Sequence, residues 1–296
     1  MVHNNFAVLS ILLIIFLSSC NNNNNPQATT NTGPDLISII KNIPNKSVKQ
    51  NSTGKTIKER FDPPEGFTRE THANNSFQYY LQNLPLKPAD TKVKYFDGRA
   101  KLASDVYTAV VDMDIGKKNL QQCADAVMRL RAEHLYHQKK YDQIHFNFTN
   151  GFNATYENWR KGKRIKVVGN KVNWTNGGTA TNDYDSFLKY MEKVFMYAGT
   201  LSLSQELKSK PIEKLAIGDI FIQGGSPGHA IIVVDKAVNQ AGKVVFMLAQ
   251  SYMPAQDIQI LQNPNNRKLS PWYDLDFGKM LDTPEWRFSK NDLKSF

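Results

Sequence analysis

Three side chains in this 296-residue sequence could together perform nucleophilic catalysis: Cys123, His229 and Gln250. A cysteine sulfur attacks carbonyl carbons, a histidine can take the thiol proton, and a polar side chain can hold the imidazole in one orientation. These residue types, in this order, predict a thiol hydrolase. Cys123 is the expected nucleophile, His229 the base and Gln250 the orienter.

Cys123 lies near the start of the clearest helical pattern in the sequence. Asn119 and Gln122 have the spacing of a capping box, and residues 120–135 carry apolar side chains at a period close to 3.6. We therefore expect a helix that begins near Asn119, where unpaired N–H groups and the helix dipole favour a thiolate. A cysteine that only fills the core would fit the same place, because free cysteine is among the most buried residue types.

His229 opens a predicted strand behind a glycine-rich loop. The loop is residues 224–228 (GGSPG), the strand is residues 229–235 (HAIIVVD), and a second strand follows at 244–250 (VVFMLAQ). A histidine beside an exposed loop is well placed to act as a base. A purely structural strand histidine is the competing interpretation.

The predicted hairpin brings a polar side chain to His229. A turn centred midway between the two strands pairs Gln250 with Ile231, a near neighbour of His229. Gln250 would then hydrogen-bond one ring nitrogen and fix the orientation of the imidazole. If the register shifts, Ser251 or Gln256 takes this place.

Segments around these residues form a recognisable set. They are residues 121–127 (QQCADAV), 129–133 (RLRAE), 218–221 (GDIF), 228–235 (GHAIIVVD) and 248–258 (LAQSYMPAQDI). This set closely resembles the DUF4846 family, largely from Bacteroidota, which has many exported members and no established activity. The likeness extends over about residues 65–290.

A second resemblance concerns mechanism. The cysteine helix, the Gly-Asp-hydrophobic segment and the Gly-His-hydrophobic strand are similar to NlpC/P60-type papain-like cysteine peptidases and amidases. This resemblance implies an α+β fold in which the Cys123 helix packs on an antiparallel sheet, and an activity on amides such as cell-wall peptides. A catalytically inactive envelope binding module of the same fold is the alternative.

The other periodic segments agree with the α+β class, because helices precede a run of strands instead of alternating with them. We expect a further helix over 183–198. The remaining expected strands are 106–114, 144–148, a hairpin of 165–168 with 171–174, and 218–221.

Composition excludes several classes of protein. The hydrophobic fraction is 41%, and 37 Lys+Arg against 27 Asp+Glu give a formal charge of +10. These values are ordinary for a globular protein and unlike a wholly disordered, collagen-like or polytopic membrane chain. Two cysteines form neither a disulfide framework nor a four-cysteine zinc site.

The N-terminus carries an export signal. Residues 6–17 (FAVLSILLIIFL) would span only about 18 Å as a helix, too short for a bilayer, and residues 17–20 (LSSC) follow at once. This resembles a bacterial lipobox, in which the signal peptide is cut before a lipid-modified cysteine. We expect a lipoprotein signal peptide at 1–19, a lipid anchor on Cys20 and a place in the bacterial cell envelope.

A polar segment follows Cys20. It begins with five consecutive asparagines and continues with turn-forming residues, which cannot bury enough apolar surface to offset the entropy of ordering. The predicted organisation is therefore a flexible tether at 20–58 and one folded domain at 59–296.

No cofactor, metal or nucleic acid is expected. His134, His137 and His145 form no convincing metal set with any carboxylate, and 224–228 lacks the lysine of a phosphate-binding loop. The basic run at 159–166 is most simply a charged strand edge, with an anionic glycan or membrane surface as alternatives. An exported chain does not meet nucleic acid.

The lipid anchor gives a direct test. Mass spectrometry of the bacterial membrane fraction should find a mature chain whose first residue is Cys20 carrying diacylglycerol. Cys20→Ser should abolish both the cleavage and the lipid. A soluble mature form with an unmodified Cys20 would contradict the prediction.

Overall fold

The β-branched and aromatic segments between residues 220 and 250 form the centre of a nine-stranded antiparallel sheet in the computed structural model, which describes residues 48–296. Strand order is β2-β11-β10-β9-β8-β15-β7, with β1 paired to the far end of β9 and β12 paired to β10. The strands are β1 (Phe67–Arg69), β2 (Tyr107–Val110), β7 (Lys208–Ser209), β8 (Ile220–Gln223), β9 (His229–Asn239), β10 (Val244–Gln250), β11 (Gln259–Leu261), β12 (Trp272–Asp274) and β15 (Leu293–Ser295).

Three two-stranded antiparallel sheets lie outside the large one. They are β3 (His145–Asn147) with β4 (Asn153–Thr155), β5 (Lys163–Val168) with β6 (Lys171–Asn176), and β13 (Met280–Asp282) with β14 (Arg287–Ser289). The hairpin predicted around Gly169 and Asn170 is confirmed as β5–β6, with Val168 paired to Lys171.

Six α-helices accompany the strands in the described part of the chain. They are α1 (Ile57–Arg60), α2 (Phe77–Gln82), α3 (Cys123–His137), α4 (Tyr156–Arg160), α5 (Tyr184–Phe195) and α6 (Thr200–Glu206). The helices and the large antiparallel sheet confirm the α+β class.

The sheet separates two hydrophobic clusters. One contains the buried side of α3 and alternate β9 residues such as Ile232, while the other contains Ile231, Val233 and Phe246. Burying each such side chain contributes about 1.5–3 kcal/mol. Packing on β9 therefore fixes α3, and with it the position of the cysteine.

The start of α3 differs from the prediction by three residues. The N-cap is Gln122 and not Asn119; the Gln122 backbone N–H donates to Asp125 Oδ2 at 3.0 Å. Asn119 is used elsewhere, because its Oδ1 accepts the Ala255 N–H at 2.8 Å. Cys123 is consequently the first residue of the helix.

The register of the central hairpin matches the prediction at the end that carries Gln250 and differs by one residue nearer the turn, where Val244 pairs with Val238. Leu248 pairs with Val233 and Ala249 with Ile232, so the next pair is Gln250 with Ile231. A bulge at Met247/Leu248 separates these pairs from the pairs nearer the turn. Beyond the bulge, the residues of β9, including Asp235, no longer follow the alternation of side chains between the two sheet faces that a regular strand would have.

Asp235 is fully buried and is held by two other elements. Its Oδ2 accepts from Arg69 Nε of β1 at 2.7 Å, and its Oδ1 accepts from Gln82 Nε2 of α2 at 2.8 Å. Burial raises the pKa of Asp235, and the Arg69 charge opposes that rise. The pair ties β1 and α2 to the central strand.

The N-terminal predictions fall largely outside the described residues, which begin at 48. The signal peptide at 1–19, Cys20 and the tether before residue 48 are not among them. From 48 onward the chain packs on the body; the Val48 N–H donates to Lys268 O, and Ile57 is fully buried. The folded body therefore starts before the predicted boundary at 59, because Ile57 is an apolar residue with a place in the core.

Within residues 48–296, no helix combines the length and apolar character needed to cross a membrane.

The buried ion pair predicts a large loss of stability on truncation. Arg69→Met should destabilise the fold by about 3–5 kcal/mol near neutral pH, because Asp235 remains buried without its counter-charge. The loss should shrink as the pH falls, since protonation removes the unpaired charge. The measurement is denaturant unfolding across pH.

Two further variants complete this experiment. Asp235→Asn in the same chain should restore part of the loss. Arg287→Met is the matched control, since it breaks an exposed pair with Asp282 and should cost under about 1 kcal/mol. Equal effects of the Arg69 and Arg287 changes would contradict the assigned role.

Candidate functional site

Cys123 is the first residue of α3, and its side chain is buried at the start of the helix. The backbone N–H groups of Ala124, Ala230 and Cys123 itself face the sulfur and lower the pKa of the thiol. Burial, followed by the neighbouring Asp125 carboxylate, outweighs them and raises the pKa to about 11. At neutral pH the sulfur is a thiol, where helix position alone predicts a thiolate.

Cys123 and His229 line one cavity of about 300 Å³. Ala230, the residue after His229, presents its N–H to the sulfur, so the strand opening and the helix start meet here. Among the described residues no hydrogen bond joins the sulfur to the imidazole. The 225–228 loop also lines the cavity. The other lining residues come from the segment before α3, the end of α5, the start of α6 and later loops: Asn119, Leu120, Gln122, Phe195, Thr200, Tyr252, Met253 and Trp286.

His229 ends a chain of hydrogen bonds that runs through the buried Gln250 to Glu285, whose side chain is 21% exposed. The His229 Nε2 lies 2.9 Å from Gln250 Oε1, and Gln250 Nε2 donates to Glu285 Oε2 at 2.6 Å. Glu285 is in turn paired with Lys101 Nζ at 2.7 Å. His229 and Gln250 are each 1% exposed, and the Lys101 side chain is 4% exposed.

This chain determines which nitrogen of His229 carries the proton. An ionised Glu285 only accepts hydrogen bonds, so the Gln250 amide nitrogen must face it. The amide oxygen of Gln250 then faces His229 and requires a proton on Nε2. Nδ1 is left as the basic ring nitrogen.

Aromatic rings surround the imidazole. The centroid of the His229 ring lies 4.8 Å from that of Tyr252, 5.3 Å from Trp286 and 6.0 Å from Phe288. Burial among them lowers the pKa of His229 to about 4, against the raising effect of the Gln250 hydrogen bond. Thiol and imidazole are therefore both neutral near pH 7.

Asp125 is the buried carboxyl group beside the thiol. Its Oδ2 caps the helix through the Gln122 N–H, while Oδ1 is buried without a hydrogen-bond partner. Burial raises the pKa of Asp125 to about 8. Above that pH its negative charge opposes ionisation of Cys123.

The glycine loop approaches α6 too closely for any side chain at Gly228. A Cβ there would lie 2.5 Å from Thr200 Oγ1 and 2.6 Å from Gly225 O. Thr200 Oγ1 also lies 3.2 Å from Gly225 O. These contacts fix the loop that leads into His229.

The structure brings together the three residues singled out from the sequence and separates the alternatives. Gln250 contacts His229, whereas the Ser251 hydroxyl lies 2.7 Å from Gln256 O and donates to the backbone. Sequence reasoning missed Glu285, which lies 35 residues after Gln250, and Lys101, which is 184 residues from Glu285 along the chain. Both are isolated charged residues with no local pattern that marks them.

His137 and His145 each lie close to a glutamate. His137 Nε2 lies 3.5 Å from Glu133, and His145 Nδ1 lies 3.1 Å from Glu206. Residues 48–296 contain no group of three His, Cys, Asp or Glu side chains suited to a metal ion.

The pKa values predict an alkaline profile for thiol alkylation. At a pKa of about 11, roughly one sulfur in 10⁴ is ionised at pH 7, so the iodoacetamide rate should rise about tenfold per pH unit toward pH 11. Asp125→Asn should react like the wild type below pH 8 and faster above it, because only the carboxylate opposes thiol ionisation.

The control for this experiment is Asp185→Asn, which changes an exposed aspartate in the first turn of α5. It should leave the alkylation profile unchanged. A wild-type rate that levels off below pH 7 would show a stabilised thiolate and contradict the burial argument.

Comparisons with known proteins give a family and no activity. A family model described as a domain of unknown function (4846) matches residues 57–295. No curated protein and no solved structure matches the chain. The match spans most of the sequence and includes the cysteine helix, the histidine strand and the segment that contains Glu285. The chain therefore belongs to the DUF4846 family.

Proposed function

We propose that this protein is a thiol amidase or peptidase of the bacterial cell envelope. Cys123 is the nucleophile, His229 the base and Gln250 the orienter. The observation that carries the proposal is the hydrogen-bond chain from Lys101 through the partly exposed Glu285 and the buried Gln250, which ends on a histidine that shares a cavity with the cysteine.

The cost of this chain supports a catalytic role. Removing an ammonium and a carboxylate from water costs several kcal/mol per ion, and the attraction between them offsets this only in part. A histidine that merely fills space needs one hydrogen bond, which Gln250 alone supplies. The ion pair of Lys101 and Glu285 adds control over the orientation of the amide, and that control matters when one imidazole nitrogen must stay free of a proton.

The reaction begins from neutral groups. A substrate amide enters the cavity, Cys123 Sγ forms a bond to the carbonyl carbon, and the thiol proton passes to His229 Nδ1. Negative charge develops on the carbonyl oxygen. Backbone N–H groups at the start of α3, which already face the sulfur, are the donors available to it.

Collapse of this intermediate breaks the carbon–nitrogen bond. The protonated His229 gives its proton to the leaving amine, and the acyl group remains on Cys123 as a thioester. Water then attacks the thioester, with His229 as base, and the released acid leaves the free thiol. Burial of His229 favours return to its neutral form after each step.

The proposed substrate class is peptide amides, with peptidoglycan peptides as one source. The cavity of about 300 Å³ holds the volume of roughly ten waters, enough for a short peptide segment. The papain-like arrangement of the fold belongs to the same proposal. It is supported by α3 packing on β9, with the cysteine at the helix start and the histidine at the strand opening.

Lipid anchoring through Cys20 would hold this domain at a membrane of the envelope. The argument rests on the apolar run and the LSSC segment, both of which precede the described residues. A tethered hydrolase would act on polymer within reach of its linker.

A catalytically inactive envelope binding module is the second candidate. The observation that favours it is the high pKa of the Cys123 thiol, since a more acidic thiol is the usual nucleophile. In that case the cavity would bind a peptide without cleaving it.

Substitutions at the site distinguish the two candidates in a screen over muropeptides and simple peptide amides. Cys123→Ser and His229→Ala should each lower kcat by at least about 10³-fold, and the double variant should cost little more, because the pair acts as a unit. Glu285→Gln should lower kcat by a smaller factor, about tenfold, since Gln250 can then turn its amide over.

Two measurements complete the comparison. His145→Ala, which changes a half-exposed histidine outside the cavity, is the control and should keep full turnover. Cys123→Ser should leave the melting temperature almost unchanged at an open site. A drop of several degrees, together with no native-state alkylation of Cys123 and no turnover, would exclude the hydrolase in favour of the binding module.

A further inference from the structure

A second cavity, of about 290 Å³, lies beside the later turns of α3. Two cationic side chains, Arg131 and Lys140, line it together with His134. None of the residues of the Cys123 cavity contributes to it. Its lining also includes Ser76, Phe77, Gln78, Gln143, Asp219 and Phe296.

Arg131 is only partly exposed, and its donors are unused. The guanidinium carbon lies 5.2 Å from the centroid of the Phe77 ring and 5.3 Å from that of Phe296. Within residues 48–296 it makes neither a hydrogen bond nor an ion pair, although a guanidinium has five N–H donors in a planar fork. Burial lowers the pKa of Arg131.

The one acidic side chain lining the cavity is already engaged. Asp219 Oδ2 lies 2.7 Å from Lys210 Nζ and accepts the Ala216 N–H at 2.7 Å. Lys140, in contrast, has no carboxylate within ion-pair distance in the described chain. The cavity therefore carries an excess of positive charge.

The pKa of His134 is affected by these positive charges. It is buried, and its pKa is lowered to about 4, first by burial and then by the charges of Arg131, Lys140 and His137. A neutral His134 adds no charge of its own. The two cations remain for a ligand to neutralise.

Neutral side chains that can donate hydrogen bonds also line this cavity. The Ser76 oxygen accepts the Tyr79 N–H at 3.1 Å, which leaves its O–H free to donate. The side-chain amides of Gln78 and Gln143 have no hydrogen-bond partner among residues 48–296. Three polar groups therefore stand beside two cations.

We propose that this cavity binds a phosphate group. Two cations match the charge of a phosphate dianion, the Arg131 fork suits two phosphate oxygens, and the hydroxyl and amide groups can serve the third. The volume holds roughly ten waters, so an organic part of the ligand fits as well as the phosphate. The site is separate from the proposed hydrolase, and its occupancy does not depend on Cys123.

Titration calorimetry on the full-length protein in neutral detergent tests this site. The probes are inorganic phosphate, phenyl phosphate and dihexanoyl phosphatidic acid, with acetate and chloride at equal ionic strength as comparison anions. We expect saturable binding of the phosphates and none of chloride. Tighter binding of the phosphatidic acid would identify a lipid headgroup as the source, and equal binding a soluble phosphate.

Lys140→Gln should weaken phosphate binding about tenfold, since it removes one charge-assisted hydrogen bond. Lys139→Gln is the matched control, because Lys139 is the exposed neighbour and does not line the cavity. Arg131→Lys keeps the charge without the fork and should also weaken binding. Cys123→Ser should bind phosphate as the wild type does, which separates this proposal from the hydrolase.

Three results would overturn the proposal. They are no saturable phosphate binding, a response to acetate or chloride equal to the response to phosphate, or equal weakening by the Lys139 and Lys140 changes. Any of them would leave Arg131 as a side chain that serves only to pack between two phenylalanine rings.

Discussion

The pairing of β9 with β10 determines the position of every group at the candidate site. It places Gln250 beside His229, and the packing of α3 on β9 brings the start of that helix to the same strand end. Because most buried polar groups in proteins are hydrogen-bonded, His229 and Gln250 at this end need partners from outside the hairpin. Glu285 and Lys101 supply them from loops that are remote in sequence.

The protonation states of Cys123 and His229 follow from burial more than from neighbouring charges. The rings around His229 and the walls around Cys123 disfavour any ionised form, so both groups rest neutral although the helix dipole favours a thiolate. A neutral thiol–imidazole pair differs from a preformed thiolate–imidazolium pair in the moment at which charge separates. In the proposed hydrolase, charge would separate only while the bond to substrate forms.

The local elements could be predicted from the sequence because each rests on short-range patterns. The 3.6 period indicates α3 and the β-branched runs indicate β8 to β10, whereas the pairing of Gln250 with Ile231 also depends on the bulge at Met247/Leu248, which turn symmetry does not predict. The helix start was misplaced because Asn119 bonds to Ala255, a contact far along the chain. Glu285 and Lys101 were missed for the same reason, since no periodicity encodes a partner chosen by tertiary packing.

The state of Cys123 also bears on its durability. Peroxide oxidises thiolates far faster than thiols, and access to solvent increases the rate further. Cys123, which is 8% exposed and has a thiol pKa of about 11, therefore resists conversion to sulfenic acid. The same burial that keeps the sulfur uncharged thus protects a cysteine that has no second thiol in residues 48–296 with which to form a disulfide.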